Sequence, residues 1–343
     1  MSRPVRAYRY RRSGSAFALA LETTEPAELG PGQARVRVRA TSLNYRDLIH
    51  LGHKAGRDVE GIIPLSDGAG EVVETGPGVR RIQVGDRVAG NFFQGWESGP
   101  FELAYHKTDL GGSIDGMLAE EVVMPDSGLV RIPDHLSFEE AACLPCAALT
   151  AWYALTTRGA FRVGDSVLVL GTGGVSIFAL QLSVALGGTV IVTSRSDEKL
   201  ERARALGAAH GINYRTTPDW EKEVWRLTNR RGVNHVIEVG GPGTLEKSMH
   251  CVAGGGQIAL IGVLTGFGAP PTSLFPLMAR NARLDGIYVG SRADFEAMNT
   301  FLADNRIHPV IDRVFPFDQA AEAFAYLESG QHFGKVVIRH EGD

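Results

Sequence analysis

The chain has little cysteine, no surplus of basic charge and no long apolar run. Cys143, Cys146 and Cys251 are the only cysteines in 343 residues. Three thiols cannot build a disulfide scaffold, and such sparse use points to a reducing, cytoplasmic setting. Lys and Arg number 35 against 39 Asp and Glu, a formal charge of −4, so an electrostatically driven nucleic-acid binder is excluded. No apolar stretch approaches the roughly 18 residues of a spanning helix. The longest candidate, Val175 to Leu186, is interrupted by Ser176, Gln181 and Ser183, and no membrane partner is expected. Acids are absent before Glu22, whereas Arg3, Arg6, Arg9, Arg11 and Arg12 precede it. That composition is similar to a targeting segment. The interleaved Val5, Ala7, Tyr8 and Tyr10 favour a first strand with exposed arginines instead.

What the chain has in quantity is glycine, 42 residues against an average near 7%, spread over tight turns. The first 125 or so residues read as β-rich. Val36, Val38 and Ala40 alternate with Arg35, Arg37 and Arg39, the period of a half-exposed strand. Glu71 to Glu74, Val84 to Val88 and Glu120 to Met124 are further short strands between turns. After about residue 137 the pattern changes. Ser137 and Glu140 form a capping box that opens a helix through Cys143, and a second helix is expected from about Cys146 to Leu155. Ser166 to Leu170 is a continuous apolar strand, followed by a helix to Leu186 and the strand Thr189 to Thr193. Helices then alternate with strands at Ile212, His235 to Val239, Gln257 to Ile261 and Arg283 to Val289. This alternation predicts an α/β, doubly wound parallel sheet. Helices near Phe295 to Leu302 and Asp318 to Ser329 and a last strand, Lys335 to Arg339, complete the chain.

The strand ending at Leu170 runs into Gly171-Thr172-Gly173-Gly174-Val175-Ser176 and then a helix. Strand, glycine turn and helix in this order form a dinucleotide-phosphate cradle. Gly171 turns without a Cβ clash, Gly173 lets the backbone approach a pyrophosphate, and the helix N-terminus offers N–H groups to it. The third position of the motif is Ser176, small enough for close strand–helix packing. The tip of the second strand, Ser194-Arg195-Ser196, carries no acid for a ribose 2′-hydroxyl. Ser194 and Arg195 instead suit a 2′-phosphate, which selects NADP(H). Asp197 is the rival ribose acid and otherwise caps the next helix.

Six further stretches recur with the glycine loop: Ser42 to Asp47, Asp67 to Val72, Val84 to Val88, Leu144 to Trp152, Val289 to Arg292 and Gly334 to Val337. In this order and spacing they make the chain resemble the medium-chain dehydrogenase/reductase superfamily, alcohol dehydrogenase-like, in its zinc-independent, quinone-oxidoreductase-like branch. The resemblance covers nearly the whole chain. It implies a GroES-like β-rich catalytic domain over residues 1–146, to which 290–343 return, and a Rossmann NADP-binding domain over 147–289. The catalytic-zinc positions of the zinc branch correspond to Asn44, Ser66 and Cys146. One thiol with an amide and a hydroxyl is no zinc site, and Asn91 to Gly116 lacks the cysteines of a structural-zinc lobe. No metal is expected.

The resemblance also assigns residues. Gly171, Gly173, Gly174 and Val175 carry the pyrophosphate turn, and Lys335 reaches the phosphates. Tyr214 lies near the 2′-phosphate. Thr150, Val263 and Val289 border the nicotinamide, and Gly240 and Gly241 its ribose. Asn44, Tyr45, Arg46, Asp47 and Asp67 stand at the substrate end, with Ser291 and Arg292 facing them. Asn44 or Tyr45 would donate to an enolate oxygen, with Tyr45 as proton donor. Asp67 pairs instead with Arg292 or Arg46 in the alternative reading. A proton-donating Tyr found in some enoyl-reducing relatives is replaced by His50 to Lys54, where His53 is a substitute. Cys143 and Cys146 form a C-x-x-C without the strand that precedes a redox pair. Without a Lewis acid to polarise a plain carbonyl, the acceptor is an activated small molecule, a quinone or α,β-unsaturated carbonyl. Metal-free alcohol/aldehyde interconversion and a non-catalytic NADPH sensor are the alternatives. A homodimer is expected, through Gln257 to Ile261 or Arg283 to Val289.

Overall fold

The computed structural model describes residues 3–269 and 273–340. In chain order it opens with β1 (Val5–Ser13), β2 (Ala16–Thr24), β3 (Gln33–Ser42), α1 (Tyr45–Leu51), β4 (Asp67–Thr75), β5 (Arg87–Gly90), β6 (Glu121–Pro125), β7 (Leu129–Arg131) and α2 (Phe138–Ala141). A π-helical turn, Leu144–Ala148, leads into α3 (Leu149–Leu155). Next come β8 (Ser166–Leu170), α4 (Gly174–Ala185), β9 (Thr189–Ser194), α5 (Asp197–Ala205), β10 (His210–Asn213) and α6 (Trp220–Leu227). They are followed by β11 (Val233–Glu238), α7 (Leu245–Cys251), β12 (Val252–Leu260), α8 (Phe275–Arg280) and β13 (Arg283–Gly286). The chain closes with α9 (Arg292–Asp304), β14 (Ile311–Pro316), α10 (Ala320–Glu328) and β15 (Lys335–Arg339). Two units result: Met1–Leu149 with Gly290–Asp343, and Thr150–Val289.

In the first unit β1 and β2 form a hairpin, and the expected strand is there. Its arginines are ion-paired rather than free: Arg6 meets Glu120 at 2.7 Å and Arg11 meets Glu22 at 2.6 Å. The larger sheet runs β14-β15-β3-β4-β5-β7, with β6 on β3. Ala34, Val36, Val38 and Ala40 of β3 are buried as their alternation requires. β15 lies antiparallel to β3, Val337 opposite Ser42. The last strand of the chain thereby stands beside the segment that enters α1. The capping box at Ser137 and Glu140 forms, but α2 stops at Ala141. Pro145 has no N–H to continue a regular helix, and the chain takes the wider turn before α3.

The second unit is a six-stranded parallel sheet in the order β10-β9-β8-β11-β12-β13, the doubly wound arrangement whose order reverses beside its first strand. Val167 to Leu170, Val190 to Val192 and Val236 to Ile237 are buried, as strands covered on both faces must be. β12 sits between β11 and β13, so Gln257 to Ile261 is interior and cannot pair with a second molecule; β13 is the edge. β13 also ends at Gly286, short of Val289. Val289 adopts φ of +60°, which no strand accommodates and which is an outlier for a β-branched residue.

Candidate functional site

In the second unit Gly171 leaves β8 at φ +74°, and no atom stands within 4 Å of where its Cβ would be. Its N–H donates to Thr193 O at 2.9 Å, tying the turn to β9. Gly173 is the N-cap of α4 in extended conformation, no side chain caps the helix, and its first turn holds no acid. The N–H groups at Gly174, Val175 and Ser176 head a twelve-residue helix, whose partial positive charge suits phosphate. Ser176 is buried and its Oγ donates to Leu170 O at 2.7 Å, so the position where the motif usually has glycine packs close and adds a hydrogen bond. These residues fit a dinucleotide pyrophosphate.

Beside the cradle, Ser194 at the end of β9 is buried, and its Oγ accepts from Ser196 N at 3.2 Å. Ser194 therefore shapes its own loop. Ser196, not Asp197, caps α5, and Asp197 accepts from Asn213 Nδ2 at 2.8 Å. Arg195 is exposed and Tyr214 is 40% exposed. Tyr214 N donates to Ser194 O at 3.1 Å, so the two side chains share one end of the sheet. Past β11, the N–H groups of Gly240 and Gly241 both donate to the buried Glu238. The Cβ position of Gly241 falls 3.2 Å from Val263 Cα. Thr150 and Val289 are buried.

The first unit gathers a polar cluster around the N-terminus of α1. Lys335 is 2% exposed; its Nζ donates to Leu43 O at 2.7 Å and Asn44 Oδ1 at 2.6 Å and lies 3.5 Å from Asp67 Oδ2. Asp67, fully buried, also accepts from Ser66 Oγ at 2.8 Å and Ser42 Oγ at 3.4 Å. This corrects the reading of Lys335 as a phosphate ligand: its ammonium is spent on three oxygens of its own unit. It also settles the partner of Asp67, which is Lys335 rather than Arg292 or Arg46. With Asn44 Oδ1 held by the ammonium, Asn44 Nδ2 is left buried without a protein partner. Asp47 closes a capping box with Asn44, accepting from Asn44 N at 2.7 Å. Burial pushes the Asp47 carboxyl up to about 6, against the opposing pull of Arg46.

The remaining polar candidates are held by contacts within their own unit. Arg46 pairs with Asp109 at 2.6 Å, donates to Leu110 O at 2.6 Å and lies over the Phe92 ring. Its Nη2 is 3.0 Å from His50 Nε2, and burial with the neighbouring Arg46 holds His50 neutral, down to about 3. Arg292, expected at the substrate end, meets Glu97 at 3.0 Å and donates to Ser127 O at 2.7 Å. Ser291 caps α9 and forms a capping box with Asp294. The Tyr45 ring packs on the apolar cluster of Leu43, Leu48 and Phe324. His53 contacts Arg57 O at 3.0 Å and edges onto Phe17. Burial pushes the Cys143 thiol up to about 12 and the Cys146 thiol higher still, which opposes a reactive thiolate.

Asn44, Ser66 and Cys146 do not fit zinc. The amide and the hydroxyl are already committed to Lys335 and Asp67, the thiol resists ionisation, and a buried ammonium adds like charge. Among the described residues no group of three or more His, Cys, Asp or Glu side chains could hold a metal. No helix among them is long and apolar enough to cross a membrane.

Comparison with known proteins follows this division. Residues 30–134 match the alcohol dehydrogenase GroES-like domain and residues 174–304 the zinc-binding dehydrogenase family. A zinc-type alcohol dehydrogenase-like protein of Schizosaccharomyces pombe is 46% identical over 321 residues, 92% of each chain. The 2-methylene-furan-3-one reductase of Solanum lycopersicum is 32% identical, over 97% of this chain and 79% of its own. A crystal structure named as an alcohol dehydrogenase of Sinorhizobium meliloti superposes with a TM-score of 0.92 at 41% identity over 99% of each chain. With a GroES-like unit, a Rossmann sheet and these relatives, the chain is an oxidoreductase of the medium-chain dehydrogenase/reductase superfamily.

Proposed function

We propose that the protein is a zinc-independent, NADP(H)-dependent reductase of activated small-molecule acceptors, quinones or α,β-unsaturated carbonyls. The observation that carries this reading is the Asn44 amide. Lys335 fixes its oxygen, Asp67 balances the ammonium, and Nδ2 remains as an oriented donor. Such a donor stabilises oxygen charge that develops in a transition state without reorganising. NADPH held at the Gly171–Val175 turn would supply a hydride from its nicotinamide, and solvent water the proton that completes the reduction. Asn44 then donates to the acceptor oxygen as it gains charge, and Lys335 polarises the amide. A plain alcohol or aldehyde asks for stronger activation than a neutral amide gives, whereas a conjugated acceptor spreads the charge. A relative named as a 2-methylene-furan-3-one reductase supports this acceptor class.

NADP(H) over NAD(H) rests on Arg195 and Tyr214 at the sheet end and on the hydrogen bond that holds Asp197 to Asn213. The chain is cytoplasmic in this reading, and it dimerises through the β13 edge. The exposed Leu284 on that strand and Phe275 and Met278 on α8 support the contact.

A stopped-flow panel of quinones, enones and aldehydes with NADPH and NADH tests the reading. Turnover of the first two classes with NADPH preference is expected. Asn44→Leu should lower kcat by about 10²-fold or more with dinucleotide affinity kept, and Arg195→Ala should remove the NADPH preference. Turnover confined to alcohols and aldehydes favours the metal-free dehydrogenase alternative, and NADPH binding without any turnover favours the sensor.

A further inference from the structure

Glu238 ends β11 and is fully buried. A buried carboxylate needs several donors, and this one has four. Its Oε1 accepts from Gly240 N at 2.8 Å, Gly241 N at 3.0 Å and Thr244 Oγ1 at 2.6 Å. Its Oε2 accepts from Ser248 Oγ. One charge thus ties the end of a strand, the turn that leaves it and α7. The turn is fastened in addition to the loop after β12. Thr265 Oγ1 donates to Gly240 O and accepts from Gly243 N, both at 2.8 Å. A Cβ on Gly241 would stand 2.8 Å from Gly262 O, and one on Gly262 2.1 Å from Val239 O. The two loops meet backbone to backbone.

The placement of this turn gives it a role. β9 and β11 flank β8 on opposite sides, and a dinucleotide lies across the ends of such a sheet where the order reverses. Arg195 and Tyr214 mark the β9 side for the adenosine half, so the other half lies over β11. There the contrast with α4 matters. The first turn of α4 carries no side-chain cap, whereas the N–H groups of Gly240 and Gly241 are consumed by Glu238. The β11 turn therefore offers no anion site, and a neutral ribose or nicotinamide can rest on it.

We propose that Glu238 is a positioning residue for the nicotinamide half of the dinucleotide, presetting the Gly240–Gly241 turn as a rigid, uncharged floor. The proposal rests on the dinucleotide reading above. It is tested by calorimetric titration of the purified protein with NADPH and with 2′,5′-ADP, which carries the adenosine half alone. Glu238→Leu keeps the volume but strands two buried N–H groups, and should weaken NADPH by about tenfold or more, leaving 2′,5′-ADP within about twofold. Glu238→Gln retains an acceptor for both glycines and should stay near the native affinity for both ligands. Thr265→Val, at an exposed residue, should weaken NADPH alone by a few-fold.

A purely structural role would weaken both ligands alike, and that result overturns the proposal, as does native-like NADPH binding by Glu238→Leu. Should Glu238→Leu fail to fold, Thr265→Val decides on the same two criteria. A native protein that binds neither ligand sinks the dinucleotide reading itself, before any variant is compared.

Discussion

Asp47 shows how one side chain couples burial to pH. It is fully buried and its carboxyl is pushed up to about 6, chiefly by burial. In the unfolded chain the same group titrates near the ordinary value of about 3.9. Between these values the folded chain holds the proton that the unfolded chain has lost. Asp47 therefore costs stability as pH rises from about 4 to 6, and the cost stays constant above that range. Asp47→Asn is neutral, and its amide oxygen still accepts from Asn44 N. Urea denaturation should find it more stable than the native protein at pH 7.5 by on the order of 2 kcal/mol, a gain that vanishes near pH 4. Equal stability at pH 7.5 would contradict the assignment. Such a charge could not be read from Asn44-Tyr45-Arg46-Asp47, because burial is supplied by residues far along the chain.

At the scale of elements, the turn between β8 and α4 was legible in full. Its requirements are local: an apolar strand, a residue free to take positive φ, and a helix whose first N–H groups stay uncapped. Gly171→Ala would meet no neighbour, since nothing lies within 4 Å of the new Cβ. The cost is conformational, about 1 kcal/mol for an L-residue at φ +74°. The added methyl also occupies the open space at the cradle. Thermal melts should show that small loss, and titration should show NADPH weakened by about tenfold. A variant that binds NADPH as tightly as the native chain would argue against the cradle. Ser291-Arg292 carries a second local signal at this same scale. A Ser three residues before Asp294 is the signature of a helix cap, and α9 begins there with a capping box.

At the scale of the molecule, the first unit is discontinuous in sequence and is sewn together by β15. Lys335 lies 292 residues from Leu43, whose carbonyl it binds. Removing the ammonium leaves Asp67 buried beside hydroxyls alone. Lys335→Met should therefore cost roughly 3–5 kcal/mol, measured by chemical denaturation. Lys335→Met combined with Asp67→Leu should recover much of it, because an apolar pair leaves no stranded charge. A double variant whose loss equals the sum of the two single losses would show that the two residues act independently. The edge of the parallel sheet belongs to this scale too. In sequence Gln257 to Ile261 and Arg283 to Val289 look alike, and only the assembled order makes β12 interior and β13 an edge.

Strand and helix periodicity, the glycine turn and the cap at Ser137 were determined by the sequence alone. Each depends on residue chemistry within a few positions. The tertiary structure alone decided which charges face one another. Lys335 goes to Asp67 and Asn44, Arg46 to Asp109, and Arg292 to Glu97 and Ser127. Glu238 finds two of its donors on its own turn, yet its burial comes from the sheet around it. Long side chains reach partners brought near by sheet pairing across hundreds of residues, and a partner that folding supplies leaves no mark in the local pattern.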